Sequence, residues 1–245
     1  MLASDFIRIP PRPKDIPAGA SGAPEMIASL ITENMVKRGH QVTLFASGNS
    51  KTQAKLFSLV KKNTGIDPTI GRGNHLDFEF ALISKCYQMA NQGKFDIIHS
   101  HFDNRTAYFA PFTKVPTVVT MHSPITGSKK RLLKLFPKTQ WYVSISQAQR
   151  KSLPNLKYVA TIYHGINTRS LPFYKLAKDY LAVSARIRPE KGVYEAIKVA
   201  QKTGKRLFIA GSSTPGEDYF EKKVKPYFNK KINYLGLLKR EKAIT

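Results

Sequence analysis

Short apolar runs typical of buried strands alternate with segments of helical periodicity along most of this 245-residue chain. The first helical segment has Pro24 at its first position, repeats apolar residues at helical spacing and ends at Gly39. After it, the predicted elements are strand Gln41–Ala46, helix Phe78–Ala90, strand Ile97–His99, strand Thr117–Met121, strand Trp141–Ile145, helix Gln147–Leu153 and strand Val159–Tyr163. This alternation predicts an α/β fold with a parallel sheet and helices on both of its faces.

A second unit is predicted to begin near Pro172, so we expect two domains, residues 1–172 and 173–245. Its predicted elements are strand Tyr180–Val183, helix Val193–Lys202, strand Arg206–Ala210, helix Tyr219–Phe228 and strand Ile232–Leu235. Because a domain of typical size holds roughly 100–150 residues, we expect the second domain to be incomplete.

The N-terminal residues do not follow this pattern. Met1–Ser4 is too short for a first strand, and Pro10–Pro17 is a proline-rich loop. We therefore expect the first strand of the sheet to have lost several residues before Met1. A turn of small residues, Ala18–Glu25, then leads into the first helix.

The chain is strongly basic, with 40 lysines and arginines against 16 aspartates and glutamates and a formal net charge of +24. This excess favours a nucleic acid, an anionic membrane surface or a phosphorylated substrate, although a lysine-rich proteome gives the same number. We find no run long enough to span a membrane and no secretory signal at the start. The single cysteine, Cys86, excludes an internal disulfide and fits a reducing compartment, so we expect a cytoplasmic protein.

Two cations lie where a predicted strand gives way to a predicted helix in the second unit. Arg186 and Lys191 are five residues apart within the segment Ser184–Gly192. The first amides of a helix and the positive end of its dipole favour an anion, and doubly wound sheets bind ligands at such strand ends. The segment therefore predicts a phosphate clamp, with a solvated basic loop as the alternative.

The turn Gly19–Glu25 is the second candidate. Its missing side chains allow a ligand to approach the amides at a helix start. Most turns of this kind are only tight connections, and that alternative stays open here.

Histidines at strand ends are the third candidate. His99 and His101 follow the strand that begins at Ile97, and His122 follows the strand Thr117–Met121. Adjacent parallel strands place these imidazoles along one rim of the sheet, where His122 is best placed to meet a ligand. The alternative is a capping or core-rim role. No acidic or cysteine ligand accompanies them at a diagnostic spacing, so we expect no metal.

Other site classes find no support in the sequence. We can assemble no Ser-His-Asp order, no paired-cysteine motif and no Walker loop. The signatures of nucleic-acid modules are also missing, since there is no RNP-like aromatic strand, zinc finger or basic zipper. We therefore expect no nucleic-acid partner.

Several strings together resemble the family-four glycosyltransferases, retaining enzymes of the GT-B fold that use nucleotide sugars. These strings are SGAPEMIASLITENMVKRGHQVTLFASGNS, FDIIHSHFDN, VPTVVTMHSP, YVSISQAQR, IYHGINT and ARIRPEKG, in the order of the family. The resemblance implies two Rossmann-like domains, the first binding the acceptor and the second the nucleotide sugar. It also implies sugar transfer to an acceptor hydroxyl without a metal or other cofactor.

The resemblance implies the following donor-side residues. Arg186 and Lys191 match the pair that neutralises the donor diphosphate and so assists departure of the leaving group. Gly22 and Ala23 match the Gly-Gly loop of the family, with alanine in place of the second glycine. Gly211, after the strand Arg206–Ala210, is also assigned to the donor site.

The resemblance also assigns the histidines. His122 matches the histidine near the reacting sugar, whereas His99 and His101 match a rim with an acceptor-side or a structural role. His164 begins a His-Gly-Ile-Asn string where the family usually has Asn-Gly-Ile-Asp, so both polar positions depart from the family.

Part of the family's pattern is missing from this sequence. The segment with two glutamates seven residues apart, expected after a helix near Lys239, is absent, and so is the final helix that crosses back over the first domain. We therefore expect a fragment, a truncated product or a remnant. The alternative function is an inactive glycosyltransferase-like binding or scaffold protein, and nucleic-acid binding rests on charge alone.

Family members often act on lipid-linked or membrane-presented acceptors, which implies a peripheral contact with the inner face of a membrane. Ser128–Phe136 fits an amphipathic basic helix that lies on an anionic surface. The alternative for this segment is a solvated lysine face beside a core stripe.

Overall fold

The structure, a computed structural model, describes residues 6–9, 23–64, 67–70, 74–136, 138–168, 172–213 and 218–238. The chain forms two compact units, Met1–Gly165 and Ile166–Thr245. The domain boundary expected after residue 172 stays a prediction, because residues 169–171, between the two positions, lie outside the described part.

The first unit is built on a seven-stranded sheet in which every pair of neighbours is parallel. The strand order is β3-β2-β1-β4-β5-β6-β7. The strands are β1 (Phe6–Ile9), β2 (Val42–Phe45), β3 (Lys55–Phe57), β4 (Ile97–Ser100), β5 (Thr117–Thr120), β6 (Trp141–Ser144) and β7 (Tyr158–Thr161). The order of the strands reverses between β1 and β4, the position at which sheets of this type bind ligands.

Within the described part of this unit, four α-helices accompany the sheet: α1 (Ala23–Lys37), α2 (His75–Asn91), α3 (Gly127–Leu135) and α4 (Gln147–Lys151). Ala28 of α1 packs against Leu44 of β2, whereas Leu82 of α2 packs in the cluster that contains Phe45. Successive strand residues face opposite sides of a sheet, so α1 and α2 cover opposite faces. The predicted parallel sheet with helices on both faces is confirmed.

The second unit contains a three-stranded parallel sheet in the order β10-β9-β8. Its strands are β8 (Tyr180–Ser184), β9 (Arg206–Ala210) and β10 (Ile232–Tyr234), and the helix α5 (Val193–Thr203) connects β8 to β9. Ile197 of α5 packs with Leu207 and Ile209 in a buried cluster, whereas Tyr180 on the sheet is exposed. One face of this sheet therefore carries the core of the unit.

Two strands and one helix differ from the sequence predictions. The sequence analysis predicted no strand at Phe6–Ile9, yet β1 pairs with both β2 and β4, so its four residues are hydrogen-bonded on both sides. The short strand β3 was missed because its three residues carry little apolar pattern. The predicted helix Tyr219–Phe228 is instead a π-helical turn, Phe220–Val224, followed by a 3-10 turn, Lys225–Tyr227. A proline inside that second turn lacks the amide that an α-helix would need.

Candidate active site

The carboxyl ends of three strands of the first unit bring four histidines into one stack. His99 lies in β4 and His101 just after it, His122 follows β5, and His164 follows β7. Their ring centroids are 4.7 Å apart from His99 to His101, 5.0 Å from His101 to His122 and 5.0 Å from His122 to His164. The predicted clustering of His99, His101 and His122 is confirmed, whereas their roles stay predictions.

Both ring nitrogens of His122 are hydrogen-bonded within this histidine stack. Nε2 of His122 lies 2.7 Å from Nδ1 of His101, and Nδ1 of His122 lies 3.1 Å from Nε2 of His164. A neutral imidazole has one donor and one acceptor nitrogen. A neutral His122 therefore donates to one neighbour and accepts from the other. The ring of His99 is held separately, with Nε2 2.9 Å from Oγ1 of Thr120.

Two histidines of the stack have pKa values below the ordinary value for histidine. His101 is 0% exposed and His122 is partly buried. The pKa of His122 is lowered from 6.5 to about 4, chiefly by burial, with smaller lowering effects of His164 and Lys129 and an opposing effect of Asp103. Burial also lowers the pKa of His164. His122 is therefore a neutral hydrogen-bonding group at neutral pH.

Asp103, which the sequence analysis did not single out, connects the loops beside the stack. Its Oδ1 accepts the backbone amide of His122 at 2.7 Å. Its Oδ2 accepts the hydroxyl of Ser123 and pairs with Nζ of Lys129 in α3 at 2.6 Å. His164 was noted only as a departure from a family string. The sequence carries no local pattern that predicts the contact of Asp103 or of His164 with His122, because each contact joins residues distant in the chain.

The predicted donor turn is described only in part. Gly22 lies outside the described residues, and Ala23 is the exposed first residue of α1. Ala23 therefore opens the helix one residue before the predicted first position, Pro24, and its side chain is accessible from solvent. The approach of a donor to this turn stays a prediction.

Arg186 and Lys191 lie at the strand-to-helix junction of the second unit, as expected. Arg186 follows β8, and Lys191 closes a 3-10 turn, Pro189–Lys191, directly before Gly192 and α5. Gly192 has φ of +67°, which suits glycine and redirects the chain into α5. Both cationic side chains are exposed, and neither has an ion pair with the other described residues.

Gly211 follows β9 in the same unit, and the backbone around it leaves no room for a side chain. A Cβ there would lie 1.7 Å from the carbonyl oxygen of Ala185. The amide of Gly211 donates to the carbonyl of Gly236, and its own carbonyl accepts the hydroxyl of Tyr234, both at 2.8 Å. Close backbone packing thus accounts for this glycine, and its donor role stays a prediction.

The predicted amphipathic basic helix is present as α3. Leu133 is buried, whereas Leu135 is 70% exposed beside the exposed cations Arg131 and Lys134. Among the described residues, no helix combines the length and the apolar character that crossing a bilayer requires. Nor do the described ranges contain three or more His, Cys, Asp or Glu side chains grouped to hold a metal ion.

A family model and several solved structures resemble this chain. Residues 25–170 match the model described as Glycosyltransferase Family 4, a span that includes the whole histidine stack. No curated protein matches. The structural neighbours share little sequence with the chain, so their likeness concerns the fold.

Three of these structures show that likeness. AviGT4, a glycosyltransferase involved in Avilamycin A biosynthesis, has a TM-score of 0.62 at 15% identity, over 98% of this chain and 66% of its own. The lipopolysaccharide outer core galactosyltransferase WaaB, in its apo form, has a TM-score of 0.61 at 10% sequence identity, and the match covers 98% of this chain and 69% of WaaB. UDP-N-acetylglucosamine 2-epimerase from Rickettsia bellii has a TM-score of 0.53 at 10% sequence identity, and the match covers 98% of this chain and 70% of the epimerase. The predicted GT-B-like α/β architecture is confirmed, and the chain spans about two thirds of the length of these structures.

Proposed function

The chain belongs to glycosyltransferase family 4, and we propose that it transfers a sugar from a nucleotide-diphosphate-sugar donor to an acceptor hydroxyl with retention. The observation that carries this proposal is the family match over residues 25–170, which contains the strand ends bearing His99, His101 and His122. The fold alone would not suffice, because one neighbour of similar fold is an epimerase.

Arg186 and Lys191 are proposed to bind the donor diphosphate. Both are exposed cations in the connection between β8 and α5, and the first amides and the dipole of this eleven-residue helix add positive potential at its start. Negative charge develops on the diphosphate as its bond to the sugar breaks, and fixed cations stabilise that charge. The proposed chemistry needs no metal, because these side chains supply the positive charge.

His122 is proposed to contact the transferred sugar. Its low pKa keeps it neutral, so it can accept from or donate to a sugar hydroxyl without holding a charge near the reaction. One of its ring nitrogens faces the buried His101 and the other faces the exposed His164. A hydroxyl can therefore reach a ring nitrogen of His122 by replacing His164.

The acceptor is proposed to be lipid-linked or presented at a membrane. The exposed Leu135, Arg131 and Lys134 of α3 combine an apolar side chain with positive charge, the combination that binds anionic bilayer surfaces. This contact would be peripheral. It would hold the protein at the cytoplasmic face, where nucleotide sugars are present.

The decisive experiment measures donor hydrolysis and transfer by the purified chain with a panel of nucleotide sugars. Turnover that falls at least about 100-fold in Arg186→Ala/Lys191→Ala supports the proposal. Lys202→Ala/Lys230→Ala removes the same charge from exposed lysines of the second unit and should retain turnover. Turnover should also survive EDTA.

Three other results would redirect the assignment. Donor binding without turnover would support the binding or scaffold alternative. Failure to bind any nucleotide sugar would contradict both functions. Oligonucleotide affinity that persists at moderate salt would instead favour a nucleic-acid binder, whereas steep loss with salt would show only counterion release.

A further inference from the structure

Asp103 adopts a backbone conformation that few residues other than glycine accept. Its φ is +52°, and no other non-glycine among the described residues has a positive φ. Aspartate and asparagine tolerate this left-handed region better than most side chains, at some cost in free energy. Strained conformations of this kind persist when the surrounding contacts maintain them. The contacts of its carboxylate are therefore the relevant observation.

Both carboxylate oxygens of Asp103 are used, and both lead to the loop that carries His122. Oδ1 accepts the amide of His122 itself, and Oδ2 accepts the hydroxyl of Ser123. Oδ2 also pairs with Lys129, so the same carboxylate ties this loop to α3. The side chain of Asp103 is only 13% exposed, which strengthens these charge-assisted hydrogen bonds.

Gln149 holds the opposite side of the same loop. Its Nε2 donates to the carbonyls of Met121 at 3.0 Å and Ser123 at 2.9 Å, and its Oε1 accepts the amide of Ile145 at 2.9 Å. The backbone on either side of His122 is thus fixed by one charged and one neutral side chain. Gln149 supplies mechanical support without charge, which makes it a useful comparison.

We propose that Asp103 is a positioning residue for His122, fixing its backbone and, together with Lys129, setting the charge that its imidazole experiences. This inference rests on the proposed function for its kinetic consequence. Since Asp103 touches the amide of His122 and not its ring, it acts through His122 and does not itself contact the reacting atoms.

The first test compares Asp103→Asn with the parent chain. Asparagine keeps the size of the side chain and tolerates the positive φ, but it loses the negative charge and the pair with Lys129. We expect kcat for transfer to fall about 10-fold or more, with the KM for the donor nearly unchanged, because a small misplacement of a contacting group slows the reaction. Asp103→Gly, which relieves the backbone strain, should show the same loss.

Two further variants separate the effect of the Asp103 charge on His122 from the effect of the hydrogen bonds that hold the His122 loop. Asp77→Asn removes an exposed carboxylate from the first turn of α2 and should leave kcat unchanged. Gln149→Ala should lower kcat without moving the titration of His122, because the lost side chain is neutral.

A titration of the His122 ring by NMR tests the same inference without any activity. Asp103 raises the pKa of His122, while Lys129, like His164, lowers it. The pKa of His122 should therefore rise above about 4 in Lys129→Met and fall in Asp103→Asn. A loop that is merely loosened would not produce opposite changes.

Parent-like kcat in Asp103→Asn and Asp103→Gly, or an unmoved His122 titration in both charge variants, would overturn the inference. Loss of the folded state in both Asp103 variants, seen by circular dichroism, would also overturn it, since Asp103 would then be a general structural residue. If the parent chain shows no transfer, the proposed function fails while the titration still decides this inference.

Discussion

Nδ1 of His122 lies 3.1 Å from Nε2 of His164, a residue forty-two positions later in the chain. The two rings are stacked at 5.0 Å, so the exposed His164 covers the ring nitrogen of His122 that faces away from His101. The family resemblance gives asparagine as the usual residue at this position, so His164→Asn is the substitution that tests the pair.

Substitution of His164 should affect the reaction more than the stability. His164→Asn restores the family residue and should give a kcat/KM for transfer at least equal to that of the parent, because a smaller side chain leaves the nitrogen of His122 more accessible. His164→Ala should lower the free energy of unfolding by only about 0.5 kcal/mol, the lower range for an aromatic pair. Steady-state kinetics and urea unfolding check both. A tenfold loss of kcat/KM in His164→Asn would show that the histidine itself is needed.

The stability of the first unit should decrease as the pH falls from about 6.5 to about 4. Burial lowers the pKa of His122 from 6.5 to about 4, so between these values the unfolded chain binds a proton that the folded chain does not. Stability is therefore full above pH 6.5 and is lost through this window, by up to about 3 kcal/mol for this residue. Urea unfolding at several pH values measures the slope. In His122→Gln the slope should be clearly smaller, and an unchanged slope would assign it to other groups.

Gly211→Ala should destabilise the second unit. The added Cβ would meet the carbonyl of Ala185, so the backbone that follows β8 or β9 must move. We expect the free energy of unfolding of the second unit to fall by about 2 kcal/mol or more. Gly165→Ala is the matched control, because a Cβ there meets nothing within 4 Å and the φ is not positive. The single tryptophan, Trp141, lies in β6 of the first unit, so its fluorescence reports on the unfolding of that unit. Circular dichroism should therefore detect a loss that Trp141 fluorescence does not, and equal shifts in both signals would contradict this.

The ion pair between Arg105 and Glu79 should be costly to break from one side. The side chain of Glu79 is 0% exposed, so Arg105→Met leaves a buried carboxylate with one cation fewer. This change should lower the free energy of unfolding by about 3 kcal/mol. Glu79→Gln/Arg105→Met should recover part of that loss, because the buried charge is also removed. Urea unfolding of the single and double variants measures the difference. A double variant less stable than Arg105→Met would show that Glu79 is stabilised mainly by other groups.

Reversing two charges on α3 should weaken binding to anionic vesicles. Arg131→Glu/Lys134→Glu removes two exposed cations, each contributing about 1 kcal/mol at such a surface, so binding should fall at least about tenfold. Lys51→Glu/Lys61→Glu makes the same change in charge on exposed loop residues elsewhere in the unit. Vesicle sedimentation compares the two. Equal losses in both variants would mean that net charge, and not α3, governs binding.

The order of strands and helices could be predicted because apolar periodicity is a local property of the chain. The histidines at the ends of β4 and β5 were predicted to meet because neighbouring parallel strands end at one edge. The roles of Arg186 and Lys191 remain predictions, although the junction that carries them was located correctly. The central strand β1 escaped prediction because pairing on both sides, rather than length or pattern, stabilises its four residues.

By itself, the sequence determined the parallel α/β architecture, the rim of histidines and the junction before α5, since each follows from neighbouring residues. Only the tertiary structure decided that His164 bonds to His122, that Asp103 fixes the loop of His122, and that Gly211 must lack a side chain. These relationships join residues 19 and 42 positions apart, or two adjacent strands of backbone. Their physical cause is the packing of strand ends against one another, which periodicity along the chain does not encode.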